Sequence, residues 1–190
     1  MTIRGVVAVL LVSAMGLTGC GEDWSAEPEP PTEAELVVER AQQRQEQLDA
    51  ELERWRELDM DDYIVAPMDE PISDHVLTTS LGELYIDGFG LCTDVTVTNS
   101  GTMPENVAAR DWTTTYPSGF TSQALINEGD VSGRSHHWYR RGLIIVQPGE
   151  TRTMQIRLGG GDERQGIQPG LYKIEFTPAL MQTHVWLTVI

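Results

Sequence analysis

Apolar and polar positions change rhythm several times along the chain. From Val6 to Leu17 the sequence is an almost unbroken apolar run, with Arg4 as the positive charge ahead of it. That is the layout of an export signal, and at about a dozen residues it falls well short of the ~20 that span a hydrocarbon core as a helix. Residues 1–19 are therefore expected to be a removable signal peptide. Residues 21–31, GEDWSAEPEPP, have no apolar period that could bury surface. They predict a disordered, acidic linker over 20–32. Beyond Thr32 Gly and Pro vanish, and apolar residues recur at Ala34, Val37, Val38, Ala41, Leu48, Leu52, Trp55 and Leu58. This spacing predicts one long helix, a stalk over 33–60, opened by a Thr32/Glu35 capping box and broken in its stripe by Gln45.

After Asp61-Asp62 the period shortens to two. Cys92, Asp94 and Thr96 alternate with Thr93, Val95 and Val97, and Met154, Ile156 and Leu158 alternate with Thr153, Gln155 and Arg157. Strands are expected at 75–77, 84–86, 91–98, 107–113, 124–127, 137–139, 143–146, 151–158, 171–176 and 185–189, punctuated by turns such as Asn99-Ser100-Gly101, Pro148-Gly149 and Pro169-Gly170. Many short strands, frequent turns and no helical run long enough for a crossover predict an all-β, antiparallel β-sandwich over 63–190.

Two resemblances sharpen this picture. Leu17-Thr18-Gly19-Cys20, at the end of the apolar run, resembles the lipobox of bacterial lipoproteins. It implies that the Cys20 thiol takes a diacylglyceryl group, that cleavage makes Cys20 the mature N-terminus, and that the lipid bilayer is a partner through acylated Cys20. Two or three acyl chains anchor stably where one does not. A chance cysteine behind an ordinary signal peptide is the other reading, but Leu17 fits an ordinary cleavage site poorly. Gly21, rather than Asp, follows the cysteine, which resembles lipoproteins sorted to an outer membrane; in a one-membrane bacterium the chain would face outward from the plasma membrane. The second resemblance is weaker. VTVTNSGTMPENV at 95–107, VQPGETRTMQIRL at 146–158, IQPGLYKIEFT at 167–177 and the closing HVWLTVI look like bacterial immunoglobulin-like cell-surface modules. With Ser118-Gly119-Phe120 they are also faintly similar to small β-sandwich proteinase inhibitors of bacilli.

Composition then narrows the function. Thirteen Lys+Arg against 29 Asp+Glu give a net charge of −16, which excludes a nucleic-acid partner. Most of that charge lies in residues 21–62, with 15 acids and 4 Arg, whereas residues 63–190 hold 14 acids and 8 bases. Linker and helix together could hold the domain about 50–75 Å from a lipid surface that repels them. A single helix, lying on its own domain or standing in solvent, is preferred to a short coiled coil because the a/d pattern breaks. Glu51 with Arg54, and Glu53 with Arg56, sit one turn apart.

Catalytic signatures are missing: the sequence has no G-x-S-x-G elbow, P-loop or dinucleotide fingerprint. Ser135-His136-His137 cannot form a relay, because neighbours on a strand point to opposite faces. An enzyme is not expected, nor a cofactor. His136, His137, Met154, Met181 and His184 are scattered soft ligands rather than a copper motif, and Asp87-x-x-Gly90, Glu128-Gly-Asp130 and Gly161-Asp162-Glu163 lack the spaced oxygens of a calcium loop, so no metal is expected. Cys92, left alone once Cys20 is lipidated, should be buried and inert. Of Trp112, Trp138, Tyr139 and Trp186 at least two must fill the core. The long polar loop over 127–141, with Trp138, Tyr139, Arg140 and Arg141, is the expected binding loop. The chain reads as a lipid-anchored envelope module that binds a protein or surface ligand, with a surface-held proteinase inhibitor or a metal or small-ligand carrier as alternatives.

Overall fold

A computed structural model describes residues 30–58, 61–86, 90–127, 143–158, 168–178 and 181–190, and the backbone of 138–139. The helix α1 runs Glu33–Glu57. Strands follow as β1 (Tyr63–Pro67), β2 (Ile72–Ser73), β3 (Leu77–Leu81), β4 (Tyr85–Ile86), β5 (Leu91–Asn99), β6 (Glu105–Ala108) and β7 (Trp112–Thr115). The remainder are β8 (Thr121–Gln123), β9 (Leu125–Asn127), β10 (Trp138–Tyr139), β11 (Leu143–Val146), β12 (Thr151–Arg157), β13 (Leu171–Phe176) and β14 (Thr183–Val189).

These strands make a β-sandwich with one helix. One sheet has the order β1-β14-β13-β7-β8 and the other β10-β9-β12-β5-β3-β2, with β4 also on β5; β6 and β11 form a separate ribbon. The centre of the second sheet is the pair with the cleanest alternation, β5 and β12, in register from Thr151 against Thr98 to Arg157 against Cys92. Their inward residues Val95, Val97, Met154 and Ile156 are buried. Their outward residues are hydroxyls that bond across strands, Thr96 to Thr153 at 3.0 Å and Thr98 to Thr151 at 2.9 Å. Such pairs contribute roughly 0.2–1 kcal/mol each. Between the sheets Trp112 stacks on Phe176 at 4.3 Å between ring centroids and on Trp186 at 6.1 Å. Trp112 and Trp186 are thus core, as is Met154. Each such aromatic ring removes ~150–250 Å² from water, on the order of 4–6 kcal/mol at ~25 cal/mol per Å².

The structure corrects several sequence expectations. The sandwich is not wholly antiparallel, since β1 lies parallel to β14 with Tyr63 opposite Thr183 and Pro67 opposite Leu187. No hairpin joins these two strands, so nothing in the connection imposes an antiparallel pairing. The strand expected over 107–113 is divided into β6 and β7 by a 3-10 turn at Ala109–Asp111. There the Asp111 carboxylate accepts the Ala108 N–H at 3.0 Å, drawing the chain into the turn. The strand expected at 75–77 begins only at Leu77, because Asp74 Oδ1 takes the N–H groups of Val76 and Leu77 at 2.7 and 2.6 Å.

The helix splits its stripe at the predicted break. Leu48, Leu52 and Trp55 pack with Val185, Leu187, Tyr63, Val65 and Leu171 on the outer face of the five-stranded sheet. Upstream of Gln45, Val37 and Val38 are each 56% exposed. The expected stalk is therefore in part a docked layer of the domain, and only its first half stands clear of the sheet. Gln45 itself turns to Asp49, at 2.9 Å. The pairs Glu51–Arg54 and Glu53–Arg56 form at 3.5 and 3.1 Å, each worth at most a few tenths of a kcal/mol at ~0.3–0.5. Among the described residues no helix is long and apolar enough to cross a membrane.

Candidate functional site

Alongside the docked turns of α1, an open groove of about 360 Å³ remains between the helix and the sheet. The helix runs over β1 and β14, and the groove beside it is lined by Trp55 from the helix and by Tyr116 and Pro117 from the β7–β8 turn. Leu171 and Leu187 are part of its apolar lining, and Gln47, Glu51 and Lys173 bring polar and charged groups of both signs to it. This volume is in the range of small-ligand pockets.

Each wall is held by specific contacts. The Trp55 indole donates to Glu51 Oε1 at 3.2 Å and tilts against the Tyr63 ring at 5.7 Å. Lys173 Nζ sits 5.4 Å from the Trp55 ring centroid while pairing with Glu175 at 3.1 Å. A cation over a tryptophan face is attracted by the ring quadrupole, by about 0.5–1 kcal/mol when exposed. Opposite, the Tyr116 hydroxyl donates to the Leu158 carbonyl at 2.7 Å, reaching through the sandwich to the other sheet. Burial is the main cause that pushes its pKa up to about 12. Gly170 lies beside Pro117 at a φ of +133°, and a Cβ placed on it would meet the Pro117 Cβ at 2.8 Å.

The turn joining β7 to β8 is tight. Gly119 N–H donates to the Tyr116 carbonyl at 2.8 Å and Tyr116 N–H to the Phe120 carbonyl at 2.8 Å. Gly119 adopts a φ of +82°, and the Phe120 ring is left 54% exposed, 5.9 Å from Tyr116.

Trp138 and Tyr139 form β10, the edge of the other sheet, paired with Asn127 and Ile126; their side chains, and Arg140 and Arg141, lie outside the described residues. So do Cys20, the signal segment, Ser135-His136-His137, Glu128-Gly-Asp130 and Gly161-Asp162-Glu163. Cys92 is buried. His184 is not grouped with Met181 as a soft-ligand site but is enclosed in the interior, its Nε2 3.0 Å from Asp74 Oδ2. Among the described residues no cluster of three or more His, Cys, Asp or Glu is placed to hold a metal ion. The groove was missed because it joins residues some 60 to 140 positions apart. Its one local signal is the aromatic turn Tyr116-Pro117-Ser118-Gly119-Phe120.

No family model and no curated protein matches the sequence. Among solved structures, the chain is similar to an uncharacterised β-sandwich protein from Clostridium difficile at 11% identity, covering 65% of this chain and 92% of that one with a TM-score of 0.41. It is similar to the yjhA protein of Bacillus subtilis at 10% identity, over 61% of this chain and 83% of that one, TM-score 0.41. A third is a protein of Bacillus subtilis named as a candidate lipoprotein, ycdA, at 13% identity, over 65% of this chain and 39% of that one, TM-score 0.42.

Proposed function

We infer that this chain is a lipid-anchored lipoprotein facing outward from a bacterial envelope, whose β-sandwich is a non-enzymatic binding module. The anchor rests on Leu17-Thr18-Gly19-Cys20 closing a short apolar run. The observation that carries the binding role is the helix–sheet groove, where an apolar lining meets Gln47, Glu51 and Lys173. Apolar surface with a polar rim is the usual composition of a contact site. An immunoglobulin-like topology is supported by Tyr172, whose hydroxyl donates to the Gln168 carbonyl at 2.9 Å, four residues upstream at the start of β13. A tyrosine closing on the backbone just before its strand is a mark of that fold.

One observation favours a second reading, the surface-held proteinase inhibitor: the tight turn that presents Phe120. Such an inhibitor needs a rigid exposed loop, and it would block a secreted protease at stoichiometric amounts.

The two parts of the main reading are tested separately. Cys20→Ser should move the protein from the detergent phase to the aqueous phase, and unchanged partitioning would refute the anchor. In the intact envelope, amides of residues 47–55 and 115–119 should exchange more slowly than in purified protein, and Trp55→Ala should remove that protection. Equal exchange in both settings refutes the groove as the contact site.

A further inference from the structure

On the side of the sandwich where β1 edges one sheet and β2 edges the other, the two sheets meet through a buried pair. His184, on β14, is fully enclosed, and the Asp74 side chain is only 5% exposed. Asp74 belongs to the turn between β2 and β3. One carboxylate oxygen faces His184 Nε2 at 3.0 Å, and the other takes the N–H groups of Val76 and Leu77 that shape the turn. An ionised carboxylate only accepts, so Nε2 carries the proton and Nδ1 is bare. Among the described residues Nδ1 has no hydrogen-bond partner. The ring is packed edge-on against Phe176 at 5.9 Å and Trp186 at 5.8 Å.

Among the described residues the surroundings of the imidazole offer no second acceptor of charge. From β13 its neighbour is Phe176 and from β1 it is Ile64. Asp61 and Asp62 touch the start of β14 through backbone carbonyls, and Glu70 reaches Trp186 Nε1 through its carbonyl, at 3.1 Å. His75, next to Asp74, is exposed. Among the described residues Asp74 is the charged side chain that faces His184.

We propose that Asp74 and His184 form a proton-operated latch that holds the β2–β3 hairpin against the opposite sheet and releases it on mild acidification. Protonation would place an N–H at Nδ1 with no acceptor among the described residues and leave a cation enclosed beside the Phe176 and Trp186 rings. The closed state therefore resists the proton, while the open state takes it up from solvent near the ordinary histidine value of ~6.5. Burial, outweighing the pull of Asp74, holds the enclosed imidazole below that value. The sign follows from linkage: the latch contributes its full stability above ~6.5 and loses it as pH falls toward the lowered value of the closed state. Opening takes up one proton, so its equilibrium rises up to about tenfold per pH unit across that window. Release would uncover Ile72 and Leu77, both buried.

The test is amide exchange of residues 72–81 in the full chain between pH 7.5 and 5.0, corrected for the intrinsic pH dependence of exchange, in wild type and His184→Gln. Gln keeps a donor toward Asp74 and does not titrate. Opening in the wild type should rise about tenfold per unit below pH 6.5, and the variant should lack this step; equal profiles overturn the latch. Ring-nitrogen NMR of the wild type gives an answer even where the variant fails to fold. A His184 that titrates near its ordinary value with the hairpin signals unchanged overturns the proposal, whereas a ring that stays neutral until the hairpin signals change supports it.

Discussion

The Asn99 carboxamide and the Val146 carbonyl meet at 2.9 Å, 47 positions apart in the chain and fully enclosed. The same Nδ2 donates to the Met103 carbonyl at 2.7 Å, while Oδ1 accepts the Gly101 N–H at 2.8 Å. The backbone N–H of Asn99 reaches Glu150, and its carbonyl accepts from Gly149. One residue at the end of β5 thus ties the turn toward β6 to the turn between β11 and β12.

Asn99→Ala leaves the buried carbonyl of Val146 and the loop atoms around it without their partner. At ~1–3 kcal/mol for each unsatisfied buried group, the loss should be about 3 kcal/mol, read as a lower urea midpoint with an unchanged slope. A loss under ~0.5 kcal/mol, the size of an ordinary surface change, would mean that the loops hold without it.

Two glycines of left-handed conformation should respond differently to alanine. At Gly119 a Cβ meets nothing within 4 Å, so only the backbone conformation is penalised, at about 1–2 kcal/mol. At Gly170 the added Cβ would also collide with Pro117. Thermal melts should therefore rank Gly170→Ala clearly below Gly119→Ala. Equal melting temperatures would show that the Gly170–Pro117 approach relaxes freely.

Alkaline pH provides a third check. Tyr116 ionises near 12 when folded and near 10 when exposed by unfolding. Its pKa is raised in the folded state, so its contribution is complete below pH 10 and is lost as pH climbs from 10 toward 12. Tyr116→Phe should flatten the fall in denaturation midpoint between pH 9.5 and 11.5. A variant that falls as steeply as the wild type would show that Tyr116 does not carry this dependence.

What could be read from the sequence follows from how many faces of each strand are covered. β5 and β12 have one face inside and one in water, so their alternation stood out. β14 is covered by the core on one side and by α1 on the other, and Thr183, His184, Val185, Trp186 and Leu187 are all buried. Its pattern is continuous rather than alternating, as for any strand enclosed on both faces. β1, beneath the same helix, gave no period and was missed for that reason. β2 and β8, at two and three residues, were not expected from the sequence. The stripe break at Gln45 was visible, but that it marks where the helix leaves a sheet needed the distant Val185 and Leu187. The same long-range closure made the groove invisible, since Trp55 and Tyr116 share no local pattern.

The docking of Leu48, Leu52 and Trp55 also fixes the order in which the domain would feel a mechanical pull. On the anchored reading, tension between the lipid and a partner held by the sandwich enters through the exposed first half of α1. It meets the helix–sheet contact before it reaches β1, which is matched over five consecutive residues to β14. The side-chain contact would yield first and lengthen the tether while both sheets remain intact. On that reading the helix would act as a mechanical fuse, and because Trp55 rides on it, the same event would dismantle the groove.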